Sequence, residues 1–134
     1  MPRIIVPVTK VEKLNEYRVY PHLAQAPYFA IIDILTKDNY KVSIVQNPVS
    51  FEPSYGFGGM GRGMGGGGGR GRIVRDFLLG YRPDAVIVTS IGRGAYYWLI
   101  ESGVKVLKPI RKDIKGIVED FLDGKLPPLE GPRV

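Results

Sequence analysis

The stretch "PDAVIVTSIGRGAYYWLIESGVKVLKP", Pro83 to Pro109, constrains the fold more than any other part of the chain. "DAVIVTS" (Asp84 to Ser90) is a continuous apolar run, the pattern of a strand buried on both faces. "GRGAYYWLIESG" shifts to helical spacing, with Ala95, Tyr96, Leu99 and Ile100 on one stripe and Gly103 after the last turn. "VKVLKP" returns to strand character and is closed by Pro109. Strand, helix and strand with joints this short make a crossover, so the two strands run parallel and the helix covers one sheet face.

The same reading extends in both directions. "DIKGIVEDFLDG" spaces Ile114, Ile117, Val118, Phe121 and Leu122 as one helical stripe, with Asp113 as N-cap and Gly124 as stop. "RIVRDFLLG" is a shorter helix whose stripe is Ile73, Val74, Phe77 and Leu78, stopped by Gly80. Upstream, "RIIVPV" (Arg3 to Val8) is a buried strand, and "YFAIIDIL" (Tyr28 to Leu35) and "YKVSIVQN" (Tyr40 to Asn47) are two more. "TKDN" joins that pair as a tight hairpin, and Pro48 ends it. Thr9 to Pro27 reads as polar and irregular. The order is βββαβαβα, an α/β chain with a mixed five-stranded sheet and about three helices. One domain over residues 1–126 is expected, with a Gly-rich loop at 56–71 and an extended, weakly packed Pro-rich tail at 127–134.

Chemistry is bounded by what the chain lacks. It has no cysteine, so disulfides, zinc ribbons, thiolate-held clusters and cysteine nucleophiles are excluded. His22 is the single histidine, so a site needing two imidazoles would require a second subunit. The net charge of +6 favours anionic partners, although lysine-rich solvated faces give the same total. No apolar run approaches the roughly 20 residues that cross a bilayer, and "MPRIIVPV" has no signal-cleavage region, so a cytoplasmic protein without membrane partners is expected.

Three places are candidate binding elements. His22 follows Pro21 just before a strand, which suits a partly exposed imidazole. Its plain reading is a hydrogen bond that fixes the turn; the functional ones are metal ligation and, more remotely, general-base catalysis. "TSIGRGA" (Thr89 to Ala95) joins the carboxyl end of a parallel strand to a helix start, where free N–H groups favour an anion. Gly92 and Gly94 allow close approach, Ser90 offers a hydroxyl and Arg93 a fork of donors. The same glycines also suit the turn's geometry without any ligand.

"GFGGMGRGMGGGGGRG" (Gly56 to Gly71) lacks Gly-Lys-Ser/Thr, so it is not a P-loop, and no strand or acidic partner makes it a dinucleotide fingerprint. It reads as a mobile cationic flap carrying Arg62 and Arg70, with Arg72 just beyond, or as a plain flexible connection. An enzyme is not expected. Asp33, Asp76, Asp84 and Glu52 fall on separate elements rather than in a cluster able to hold magnesium.

"PHLAQAPYFAIIDI", "NPVS" before a glycine-rich loop, "PDAVIVTSIGRGAYYWLIESGVKVL" and "VEDFLDGKL" together resemble the dinitrogenase iron–molybdenum cofactor biosynthesis family. His22 matches the family's motif histidine, whereas Leu23, Ala24 and Gln25 stand where Phe, Gly and Arg are usual. Relatives often carry His or Cys in the glycine-rich loop, where this chain has Gly, Met and Arg. The resemblance implies a ribonuclease-H-like fold and a carrier of the iron–molybdenum cofactor or an iron–sulfur precursor, with cluster donor and acceptor proteins as partners. In that reading His22 is the metal ligand, and Arg62, Arg70, Arg72 and Arg93 offset the cluster's charge beside Ser90, Gly92 and Gly94. The alternative is a nucleic-acid or nucleotide-binding module using the Arg/Gly-rich loop. A third is an interaction protein presenting part of the Tyr96–Tyr97–Trp98 run, which cannot all face a core.

Overall fold

The computed structural model describes residues 2–49 and 66–131, the stretch 66–71 by its backbone. It is a mixed α/β structure of six strands and three helices. The strands are β1 (Arg3–Val11), β2 (Glu16–Val19), β3 (Tyr28–Thr36), β4 (Asn39–Gln46), β5 (Ala85–Ile87) and β6 (Lys105–Leu107). The helices are α1 (Gly66–Leu79), α2 (Arg93–Glu101) and α3 (Ile114–Leu122). Spatial order is β4-β3-β1-β5-β6, with β2 paired to the far end of β1. β1 is antiparallel to β3 and parallel to β5, and β5 is parallel to β6 across the expected crossover through α2.

The continuous apolar runs are explained by burial on both sheet faces. Ile5, Phe29, Ile31 and Val86 point to one face, where Val74 and Leu78 of α1 and Tyr96 and Leu99 of α2 cover them. Ile4, Val6, Ala30, Ile32, Ala85 and Ile87 point to the other, under Ile117 and Val118 of α3. Each fully buried Ile, Leu, Val or Phe contributes roughly 1.5–3 kcal/mol relative to exposure, so these two layers hold the sheet. Asp113 caps α3 as expected, its carboxylate accepting from the Gly116 N–H at 2.9 Å.

Four expectations are corrected. The sheet has six strands, not five: within the segment read as irregular, β1 runs on to Val11 and a short 3-10 turn leads to β2. Asn15 adopts a left-handed φ of 51°, which asparagine tolerates and which turns the chain back. The first helix begins at Gly66, inside the stretch read as loop. Glycine is a poor helix former, but a helix anchored by buried Val74 and Leu78 extends backward at one hydrogen bond per residue. Residues 56–65 of the glycine stretch, including Arg62, lie outside the described residues.

The helical stripes are also narrower than expected: Ile73, Ile100 and Leu122 at their margins are exposed, while Val74, Leu78, Tyr96, Leu99, Ile117 and Val118 are buried as read. Finally, the start of the tail is packed. Lys108 N–H donates to the Pro127 carbonyl at 2.8 Å, Leu129 N–H donates to the Val106 carbonyl at 2.9 Å, and Leu129 is buried. Prolines donate nothing, but here Pro127 serves as an acceptor and Leu129 supplies the N–H, so no proline donor is needed.

Candidate functional site

Two turns far apart in sequence are joined by main-chain hydrogen bonds at the carboxyl end of β5. Ser90 N–H donates to the Pro21 carbonyl at 2.8 Å, and Leu23 N–H donates to the Ser90 carbonyl at 3.0 Å. His22 and Ser90 thus form a parallel bridge, with the imidazole exposed and Ser90 buried. Gly92 follows in extended conformation as the N-cap of α2 and, being glycine, has no side chain with which to cap that helix. The first turn of α2, whose N–H groups have no intrahelical acceptor, thus lies beside His22.

The turn bearing His22 is stapled from behind. The buried Asn47 amide donates to the carbonyls of Ala26 at 2.7 Å and Ala24 at 3.1 Å, and its Oδ1 accepts from the Val49 N–H at 2.9 Å. Leu23 and Ala26 anchor the turn in the core.

Between these turns and α1 lies a cavity of about 470 Å³. His22, Ser90, Gly92, Arg93 and Gly94 line it together, and α1 adds Arg72 and Arg75 one helical turn apart. Leu23, Val74, Ile91 and Ala95 give it an apolar floor. Of the residues singled out in sequence, these six converge: His22, Arg72, Ser90, Gly92, Arg93 and Gly94. Arg70 lies on α1 without a described side chain, and Arg62 lies outside the described residues.

Arg75 and Asn47 were missed. Arg75 was legible as the i+3 neighbour of Arg72, but only once α1 was known to carry both past the cavity. Asn47 was legible only as the residue before a strand-ending proline.

Such a wall suits an anion. Cationic guanidiniums and the N-terminal end of α2 line a concave, partly apolar space, where charge attraction is less screened than in bulk water. Coordination is thinner: His22 is the one imidazole, and among the described residues no three His, Asp or Glu side chains gather to hold a metal ion.

A second hollow of about 580 Å³ at the opposite end of the sheet is different. There Arg3 is already committed to Asp33 Oδ1 at 2.7 Å and to the Tyr81 carbonyl at 2.7 Å, which leaves little net charge.

Fold and site together define a small mixed α/β domain with a cationic cavity where a parallel strand gives way to a helix. The chain belongs to the dinitrogenase iron-molybdenum cofactor family, whose model matches residues 3–124. Its fold is similar to that of the orange protein from Desulfovibrio gigas, solved in its apo form, with TM-score 0.66, 21% identity, and 100% and 98% of the two chains covered. It is likewise similar to a NifB-like protein of Thermotoga, with TM-score 0.65, 23% identity, and 96% and 94% covered. A search of the curated proteins found no match. Among the described residues no helix is long and apolar enough to cross a membrane.

Proposed function

We propose that this chain is a binding and carrier protein that holds an anionic metallocluster, the iron–molybdenum cofactor or an iron–sulfur precursor, as cargo. The observation that carries the reading is the convergence of His22 with Arg72, Arg75, Arg93 and the α2 N-terminus on one cavity, in a chain of this family. The donor set fits such cargo in part. Guanidiniums and main-chain N–H groups offset the charge of a cluster assembled elsewhere, and His22 supplies one metal–nitrogen bond. A cluster built in place would need several thiolates, and the chain has none. No catalytic step is assigned to these residues; they bind, orient and release, in exchange with donor and acceptor proteins.

The test is an anaerobic titration with isolated iron–molybdenum cofactor, comparing wild type with His22→Ala. Stoichiometric binding that weakens about tenfold or more in the variant supports the reading and makes His22 a ligand. Absence of binding by wild type rejects it. Single-stranded RNA binding that falls steeply with salt would then favour the nucleic-acid reading through Arg72 and Arg93.

A further inference from the structure

Trp98 has no evident reason to be a tryptophan if only the core is considered. It lies on the outer side of α2, 46% exposed, one residue before the fully buried Leu99. What its ring does touch is an arginine: the Arg75 guanidinium carbon stands 4.4 Å from the ring centroid. Arg75 in turn lines the cavity, and its side chain keeps only 17% of its surface exposed. Its Nε donates to Asp76 Oδ1 at 3.1 Å, the one hydrogen bond that its guanidinium makes among the described residues. Nη1 and Nη2 thus remain donors without a partner there, on a group fixed from two sides.

We propose that Trp98 is a positioning residue for the cavity: its ring face holds the Arg75 guanidinium ready to meet an anionic group of the ligand. The proposal rests on the reading of the cavity as a binding site, and adds how its affinity is set. A free arginine side chain samples many rotamers, and binding an anion with it means freezing them. Stacking on an indole face freezes them beforehand, and leaves the in-plane N–H edges open because the contact uses the face. Asp76 fixes the Nε side, so the opposite edge of the fork is the one presented. Such an edge pairs with two oxygens of a carboxylate or phosphate, or with the terminal anions of a cluster surface. Lysine in place of Arg75 would keep the charge and lose both the stack and the fork.

The test reads Arg75 and the ligand separately. The Arg75 Nε–Hε signal is followed by nitrogen-15 NMR in wild type, Trp98→Leu and Trp98→Phe, while Arg75→Ala, which lacks that signal, and the double variant with Trp98→Leu are read by affinity alone. Each is titrated with inorganic pyrophosphate and, anaerobically, with isolated iron–molybdenum cofactor. The expected result is a ring-current shift in wild type that disappears in Trp98→Leu and persists in Trp98→Phe. Pyrophosphate should move the signal, bind about 3- to 20-fold more weakly to Trp98→Leu, and regain most of that in Trp98→Phe. Adding Trp98→Leu to Arg75→Ala should weaken binding no further, since the tryptophan acts through the arginine.

Unchanged affinity in Trp98→Leu, an additive loss in the double variant, or an Arg75 signal that neither anion moves would each overturn the proposal. Pyrophosphate acting through Arg75 while the cofactor fails to bind would leave Trp98 in its role and reject the metallocluster reading. Cofactor binding that depends on His22 but leaves the Arg75 signal unmoved would do the reverse.

Discussion

His22 and Ser90 sit side by side in a parallel bridge, so the one imidazole of the chain is fixed beside the start of α2. The bonds that hold the pair are main-chain bonds, from Ser90 N–H to Pro21 and from Leu23 N–H to Ser90. The residue itself is exposed, and among the described residues its ring makes an edge contact to Tyr20, with centroids 6.4 Å apart. His22→Ala should therefore leave the unfolding free energy within about 0.5 kcal/mol of wild type, as for an ordinary surface substitution. Urea denaturation checks this, and a larger loss would mean that the histidine is structural rather than a free ligand.

Asn47 should behave in the opposite way. Its side chain satisfies two carbonyls and one N–H around the His22 turn, all from a buried position. Asn47→Ala strands those groups and should destabilise the protein by about 1–3 kcal/mol, seen as a lower urea midpoint at unchanged slope. Amide exchange should speed up at Ala26 and Val49 before the core strands.

The end of the described chain is predicted to matter for stability. Leu129 is 2% exposed, and its carbonyl accepts from the Tyr96 hydroxyl at 2.9 Å, tying the tail to α2. Leu129→Ala should cost about 2–4 kcal/mol by leaving a cavity under α2. Thermal melts of this variant against a truncation after Leu126 would show whether the side chain or the whole segment carries the effect.

A pH dependence should come from the other face of the sheet. Arg111 forms paired bonds to Asp120, Nη2 to Oδ1 at 2.9 Å and Nε to Oδ2 at 3.1 Å. That hydrogen bonding, above all, holds the buried Asp120 carboxyl below its ordinary value of 3.8, against the opposing pull of burial. A depressed carboxyl stabilises the fold at pH above its unfolded value, and that contribution is lost as pH falls through the folded one. Arg111→Met should thus melt well below wild type at neutral pH, with the gap narrowing under about pH 4. A gap independent of pH would show that the pair contributes nothing through charge.

Much of the fold was legible because burial on both faces writes continuous apolar runs, and helices under a sheet write 3.6-residue stripes. β1, β3, β5, α2 and α3 were readable on that ground, as was the glycine-bearing turn from β5 to α2. β2 was not, because Tyr17 and Val19 alternate with the charged Glu16 and Arg18, all four half-buried, in a stretch too short and polar to stand out. The start of α1 was hidden by glycine, whose weak local preference was overridden by packing further along the helix. The tail misled for a related reason: prolines mark what cannot form a regular ladder, not what cannot pack.

The sequence by itself determined the class of fold, the exclusion of thiolate chemistry, and the types of residue available to hold an anion. Periodicity and composition carry those, since each depends on neighbours a few residues away. Only the tertiary structure decided that His22 meets Ser90, that Arg75 joins Arg72 at the cavity, and that its guanidinium stands over the Trp98 ring. Those contacts follow from strand order and from helix placement across the sheet. They rest on hydrogen bonds and packing between segments tens of residues apart, which no local pattern encodes.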